Sequence, residues 1–205
     1  MDDFTINYRY SEKKANHTHS YLWDPIRKVI SSANASKVFD LGCGNGAFAR
    51  HLKAQGIQVV GVDPSPEGIS LAQGADPNLT LEVGNAYEPL KERFGRFSVV
   101  TSLEVVEHVY YPRKFARCVA DLLEKDGIAI ISTPYHSYFK NVALAITGKM
   151  DSHFTALWDH GHIKFWSVKT LTELFADVGL QREQVIRVGR NPLLAKSMIL
   201  VFRKQ

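Results

Sequence analysis

At 205 residues, 45% hydrophobic and 22% charged, the chain has the balance of a folded globular domain rather than of a disordered or membrane-spanning one. No apolar run approaches the ~20 residues that cross a bilayer, and the acidic start Met1-Asp2-Asp3 has no apolar signal core, so a cytoplasmic location is expected. The net charge of +4 is scattered: it fits a solvated surface, makes nucleic acid an unlooked-for partner and leaves peripheral membrane contact open, while Cys43 and Cys118 show no metal spacing and suit a reducing compartment.

The length predicts a single domain, 1–205. Residues 1–18 are polar and aromatic, with Tyr8, Tyr10 and the run Asn16-His17-Thr18-His19. A helix is predicted over 20–33 from the spacing of Leu22, Ile26, Val29 and Ile30, so that residues 1–34 form an N-terminal helix, either a lid or a helix packed beside a sheet. Val38, Phe39 and Leu41 read as a buried strand that runs into Gly42, Gly44 and Gly46, with a helix over 47–55 stopped at Gly56. A second strand over 58–63 ends at Asp63-Pro64-Ser65, and Pro66 opens a helix over 66–72. A short strand over 80–83 leads to Gly84-Asn85-Ala86.

The nearly all-apolar stretch 97–103 reads as a strand covered on both faces. A helix over 113–123 and a strand over 128–133 follow. Residues 135–166 form a long insertion, with an amphipathic helix over 138–147 and a stretch dense in His153, Trp158, His160, His162, Phe165 and Trp166. Its place after the fifth strand puts it at the carboxyl edge of the sheet, over a ligand site. A helix over 168–178 precedes an antiparallel pair, 182–188 and 197–202. The alternation predicts an α/β fold: a Rossmann-like, seven-stranded, mostly parallel sheet with helices on both faces and a C-terminal antiparallel hairpin.

The triple-glycine bend from Gly42 to Gly46 allows a sharp turn and close approach of a ligand to the main chain, and the helix after it offers unpaired N–H groups. Gly42-x-Gly44-x-x-Ala47 formally meets the dinucleotide fingerprint, with Asp63 at the spacing of a ribose-binding acid. Asp40 argues against it. A carboxylate there repels a pyrophosphate and suits a ligand that carries an ammonium group. Asp40 and Asp63 also read as plain turn and cap residues.

The loop Asp-x-Gly-x-Gly-x-Gly, Asp40 to Gly46, resembles motif I of the class I S-adenosylmethionine (SAM)-dependent methyltransferases. The resemblance spans roughly residues 36–190. It implies SAM as cofactor, held by Asp40, Gly42, Gly44, Gly46, Asp63, Pro64, Asn85, Ala86, Leu103 and Glu104, with Asn85 offering its amide to adenine where relatives carry an acid.

Glu104-Val-Val-Glu107-His108 puts two carboxylates and an imidazole on one helical turn or tight loop, where mutual repulsion raises a carboxyl pKa unless a cation neutralises it. Such donors suit Mg2+ or Mn2+. The segment resembles the Glu-x-x-Glu-His stretch of the ubiquinone-biosynthesis O-methyltransferases and of the small-RNA 2′-O-methyltransferases. His162-Ile-Lys-Phe-Trp-Ser167 is similar to a further histidine segment of the RNA enzymes. The resemblance implies a divalent ion on Glu104, Glu107, His108 and His162, with Glu107, His108 and His162 as catalytic candidates. Many methyltransferases carry Glu-His at this place without a metal, the Glu beside the cofactor and the His beside the substrate. His162 then reads as a packing histidine, and His17, His19, His153 and His160 as exposed ones.

The function expected is O-methylation of a small-molecule hydroxyl, in a quinone precursor, another metabolite or a glycan. The alternatives are an RNA 2′-O-methyltransferase, an NAD(P)-dependent oxidoreductase and a non-catalytic SAM-binding module. The oligomeric state is not legible.

Overall fold

The structure, a computed structural model, describes residues 20–159 and 161–205. Tyr8, Tyr10, His17, His19 and His160 lie outside the described residues. Seven strands form one sheet: β1 (Lys37–Leu41), β2 (Gln58–Asp63), β3 (Thr80–Val83), β4 (Phe97–Leu103), β5 (Leu123–Pro134), β6 (Leu180–Val188) and β7 (Ser197–Lys204), in the order β3-β2-β1-β4-β5-β7-β6. The first five run parallel, and β7 lies antiparallel between β5 and β6.

Helices cover both faces because side chains alternate along each covered strand. In β7, Ile199 and Val201 join the core beneath α1 (Ser20–Ser32), α2 (Ala47–Lys53) and α3 (Pro66–Ala75), with Leu22, Ile26, Phe48, Leu52 and Ile69. Met198, Leu200 and Phe202 point the other way, into the core with Phe115, Leu122, Leu171 and Phe175 from α5 (Pro112–Leu122) and α8 (Val168–Ala176). Ser167 opens α8 in a capping box with Thr170, a device worth about 0.5–2 kcal/mol.

Three expectations change. Two short helices, α4 (Leu90–Phe94) and α7 (Met150–Phe154), were hidden because five residues give too little periodicity to read. Strand β5 begins at Leu123 rather than 128: Leu123 pairs with Phe97 before the register shifts, and Asp126 takes a left-handed φ of 61°. Finally, α6 (Tyr138–Ile146) buries none of its residues; Tyr138, Phe139 and Ile146 are exposed, so its apolar side faces outward.

β1 pairs with β2 on one side and β4 on the other, so successive crossovers leave in opposite directions at its carboxyl end. Open α/β sheets bind ligands at such a switch point. Asp40 sits there, in register with Gly61 of β2 and Thr101 of β4.

Candidate active site

The bend after β1 is tied to β2. The N–H groups of Gly42 and Cys43 both donate to the Val62 carbonyl, at 2.8 and 3.1 Å. Asp63 reaches across: Oδ2 accepts the Gly44 N–H at 2.8 Å and Oδ1 accepts that of Ser65 at 2.9 Å. Gly42 (φ +85°) and Gly46 (φ +69°) are required twice over, by left-handed backbone and by space. A Cβ on Gly42 would lie 2.4 Å from Val105 Cγ2, and one on Gly46 2.8 Å from Ala72 Cβ.

A cavity of about 840 Å³ opens above this bend, within the range of small-molecule sites. Of the residues expected at the cofactor, Asp40, Gly42, Gly44, Asp63, Pro64, Asn85, Ala86, Leu103 and Glu104 line it. Gly46 does not; it packs behind the bend against α3 and β3. Asn85 is partly committed locally, donating from Nδ2 to Glu88 at 2.8 Å while its Oδ1 accepts the Tyr87 N–H at 2.8 Å.

Asp40 is buried, and Thr101 donates to its Oδ1 at 2.8 Å. Burial pushes its carboxyl up to about 7, against the Thr101 bond and with a smaller contribution from Asp63. Such an acid gains from a cationic ligand, and a phosphate beside it would raise it further. The glycine cradle, the cavity and this carboxylate together fit a sulfonium nucleoside bearing an ammonium group.

Of the helical turn and the tight loop expected at 104–108, the chain forms the tight loop. Glu104 takes a left-handed φ of 56°, its N–H donating to the Ser132 carbonyl and hydroxyl at 3.1 and 3.0 Å. This redirects the two glutamates. Glu104 accepts the Ser132 hydroxyl at 2.8 Å and the Ser197 hydroxyl at 3.3 Å, whereas Glu107 accepts that of Thr133 at 3.0 Å. Burial raises Glu104 to about 7, opposed by the two serines and Lys140. Burial raises Glu107 well above the carboxylate range, with Glu104 adding to it.

His108 and His162 face each other with ring centroids 4.9 Å apart, and both line the cavity. The backbone holds them there: the N–H groups of Ile163 and Lys164 both donate to the Glu107 carbonyl at 3.0 Å, and Trp166 Nε1 donates to the Val106 carbonyl at 3.0 Å. His108 Nδ1 lies 3.2 Å from the Gly161 carbonyl, which can only accept, so Nδ1 carries the proton and Nε2 is the basic atom. Burial, then His108, lowers His162 to about 4.

One ligand atom from each of Glu107, His108 and His162 lies within 4.8 Å of the others, and Glu107 Oε1 is buried without a partner. Two imidazoles and one carboxylate form a donor set of the kind that holds Mn2+ or a later transition ion, more than oxygen-loving Mg2+. Glu104 is not part of that group. Its carboxylate is engaged by the Ser132 and Ser197 hydroxyls.

Several lining residues carried no readable signal: Tyr21 from α1, Tyr87 and Glu88 before α4, and Lys196 and Ser197 at the start of β7. They come from segments far apart in the chain, and only the sheet order gathers them. Tyr21 Oη lies 3.2 Å from the Ser197 hydroxyl, which puts α1 both against the sheet and at the cavity.

The methyltransferase-domain family matches residues 10–185. The chain is 35% identical over 148 residues to a ubiquinone biosynthesis O-methyltransferase of Azorhizobium caulinodans, covering 70% of this chain and 56% of that protein. It is 31% identical over 177 residues to one of Methylobacterium nodulans, covering 83% and 69%. The chain thus spans about half the length of the first relative. The fold matches the crystal structure of a magnesium protoporphyrin IX methyltransferase from Synechocystis with bound S-adenosylhomocysteine, at a TM-score of 0.71 and 18% identity over 96% of this chain and 91% of that one. With the family match over most of its length, the chain belongs to the class I SAM-dependent methyltransferases.

Proposed function

We propose that the chain transfers a methyl group from SAM to the hydroxyl oxygen of a small molecule. The observation that carries this reading is the facing pair His108 and His162 over the same cavity that Asp40 and the glycine bend enclose. The relatives' printed function, ubiquinone biosynthesis O-methylation, supports a phenolic acceptor. Glycans and other metabolites remain within the class.

When bound, SAM supplies an electrophilic methyl that the acceptor oxygen attacks in line, forming the O–CH3 bond as the CH3–S bond breaks and S-adenosylhomocysteine leaves. Asp40 neutralises the donor's positive charge, and Asp63 offers its remaining acceptor capacity to the ribose hydroxyls. His108 Nε2 takes the acceptor's proton, its tautomer fixed by Gly161. Alignment of this kind can supply on the order of 7–11 kcal/mol of a bimolecular barrier.

In a metal-loaded form, Glu107, His108 and His162 would hold a divalent ion of the Mn2+ class, with His108, its Nδ1 engaged by Gly161, bound through Nε2 as a ligand in place of its role as base. Such an ion would supply acidification of the acceptor hydroxyl. The two buried thiols, Cys43 and Cys118, suit a reducing, cytoplasmic setting.

Calorimetric titration with SAM and with NADH tests the cofactor, and chromatographic detection of S-adenosylhomocysteine with a panel of phenols, sugars and RNA tests the transfer. Saturable SAM binding and product with a phenol are expected. NADH binding without SAM binding overturns the reading. SAM binding without product from any acceptor turns it toward a binding module.

A further inference from the structure

A second cavity, of about 340 Å³, opens beside the first between α6 and the β6–β7 connection. Its charged lining is all basic or neutral: Lys140, Arg190, Lys196 and His153, with no carboxylate among the described lining residues. Lys196 lines both cavities, so the two share a wall.

Lys140 is held rather than waving in solvent. Its Nζ donates to the Tyr135 carbonyl at 2.7 Å and the Ala195 carbonyl at 3.2 Å, which leaves one of three N–H bonds to give. None of the ion pairs among the described residues engages Lys140, Arg190 or Lys196. Burial lowers the Lys140 ammonium from its usual range, Arg190 lowers it further, and only Glu104, across the shared wall, raises it. Lys140 and Arg190 repel across this cavity, and an anion removes that repulsion, while Lys196 holds its ammonium 5.6 Å over the Tyr21 ring on the side of the first cavity. Guanidinium and ammonium donors together match phosphate or carboxylate oxygens.

We propose that the second cavity receives a phosphate or carboxylate group carried by the methyl acceptor, so that the acceptor spans both cavities with its hydroxyl at His108. This rests on the methyl-transfer reading and narrows its substrate class to anionic hydroxyl compounds. Lys196 stands at the junction, and Arg190 reads the anion at the far end.

The test uses the full chain loaded with S-adenosylhomocysteine at low salt, titrated with phenol, inorganic phosphate and 4-hydroxyphenyl phosphate, which keeps a free hydroxyl beside the anion. 4-Hydroxyphenyl phosphate is expected to bind about tenfold more tightly than either fragment, and Arg190→Gln to lose that advantage with its affinity for S-adenosylhomocysteine unchanged. Lys140→Gln provides a second variant if the first fails to fold. Absence of saturable binding by both phosphates overturns the proposal, as does equal binding by the variants. 4-Hydroxyphenyl phosphate no tighter than inorganic phosphate also overturns it, since the site then serves a free anion. Failure of S-adenosylhomocysteine itself to bind would strike the methyl-transfer reading, and is read separately on the same samples.

Discussion

Asp63 Oδ2 accepts the Gly44 N–H at 2.8 Å, so the acid that ends β2 holds the shape of the loop that ends β1. Its other oxygen accepts the Ser65 N–H at 2.9 Å, and each oxygen keeps a second lone pair. The carboxylate therefore has a structural task as well as the ribose contact proposed for it. Asp63→Ala should weaken SAM binding by about 100-fold or more, since hydrogen bonds to charged groups are worth about 1.5–3 kcal/mol each. It should also lower the melting temperature without ligand. Titration calorimetry with a thermal melt checks both, and an unchanged melt would show that the tether carries no load.

Asp40 sets a pH dependence. Its folded value of about 7 exceeds the ordinary aspartate value of 3.8, so the folded apo chain holds this proton more tightly than the unfolded chain does. The associated stability is complete below pH 4, declines as pH rises toward 7 and is flat above, a loss of up to about 4 kcal/mol. A cation bound beside Asp40 favours the ionised form, so SAM affinity should rise from pH 5 to 7. Asp40→Asn should flatten both profiles. Denaturation and binding measured across that range decide it.

Gly42→Ala places a methyl 2.4 Å from Val105 Cγ2 at a φ of +85°. Left-handed strain costs about 1–3 kcal/mol and overpacking a similar amount, so a loss on the order of 3 kcal/mol is expected in urea unfolding. A variant of wild-type stability would mean that the bend relaxes without cost.

The proposed ion site predicts a ranking. Glu107→Gln and His162→Ala should each weaken Mn2+ binding by about tenfold or more, measured by electron paramagnetic resonance of the free ion. Glu104→Gln should matter far less, because its carboxylate is held by Ser132 and Ser197. Equal loss from all three would return Glu104 to the ligand set.

Trp166 ties the insertion to the loop below it. Trp166→Phe leaves the buried Val106 carbonyl without its 3.0 Å donor, a cost of about 1–3 kcal/mol. The separation of His108 and His162 depends on the same tie, so kcat should fall with little change in SAM affinity. Equal loss in both would assign Trp166 to general stability.

The glycine bend and the covered strands were legible because their requirements are local: left-handed backbone needs glycine, and a strand buried on both faces needs an unbroken apolar run. Asp40 and Asp63 were legible by their place at strand ends. The direction of Glu104 was not, since a left-handed φ at a glutamate has no sequence signature. Arg190 and Lys196 looked like surface charge, and only the antiparallel register that sets Ser197 beside Pro134 brings Lys196 to the wall of the main cavity.

The placement of β7 inside β6 has a temporal consequence. β6 is made first yet joins the sheet only through β7, and α1 packs on both. The residues of the donor cradle all precede β5 in the chain, whereas the side wall formed by Tyr21, Lys196 and Ser197 needs β7 in place. Synthesis thus delivers the donor's residues well before the last of the acceptor's wall.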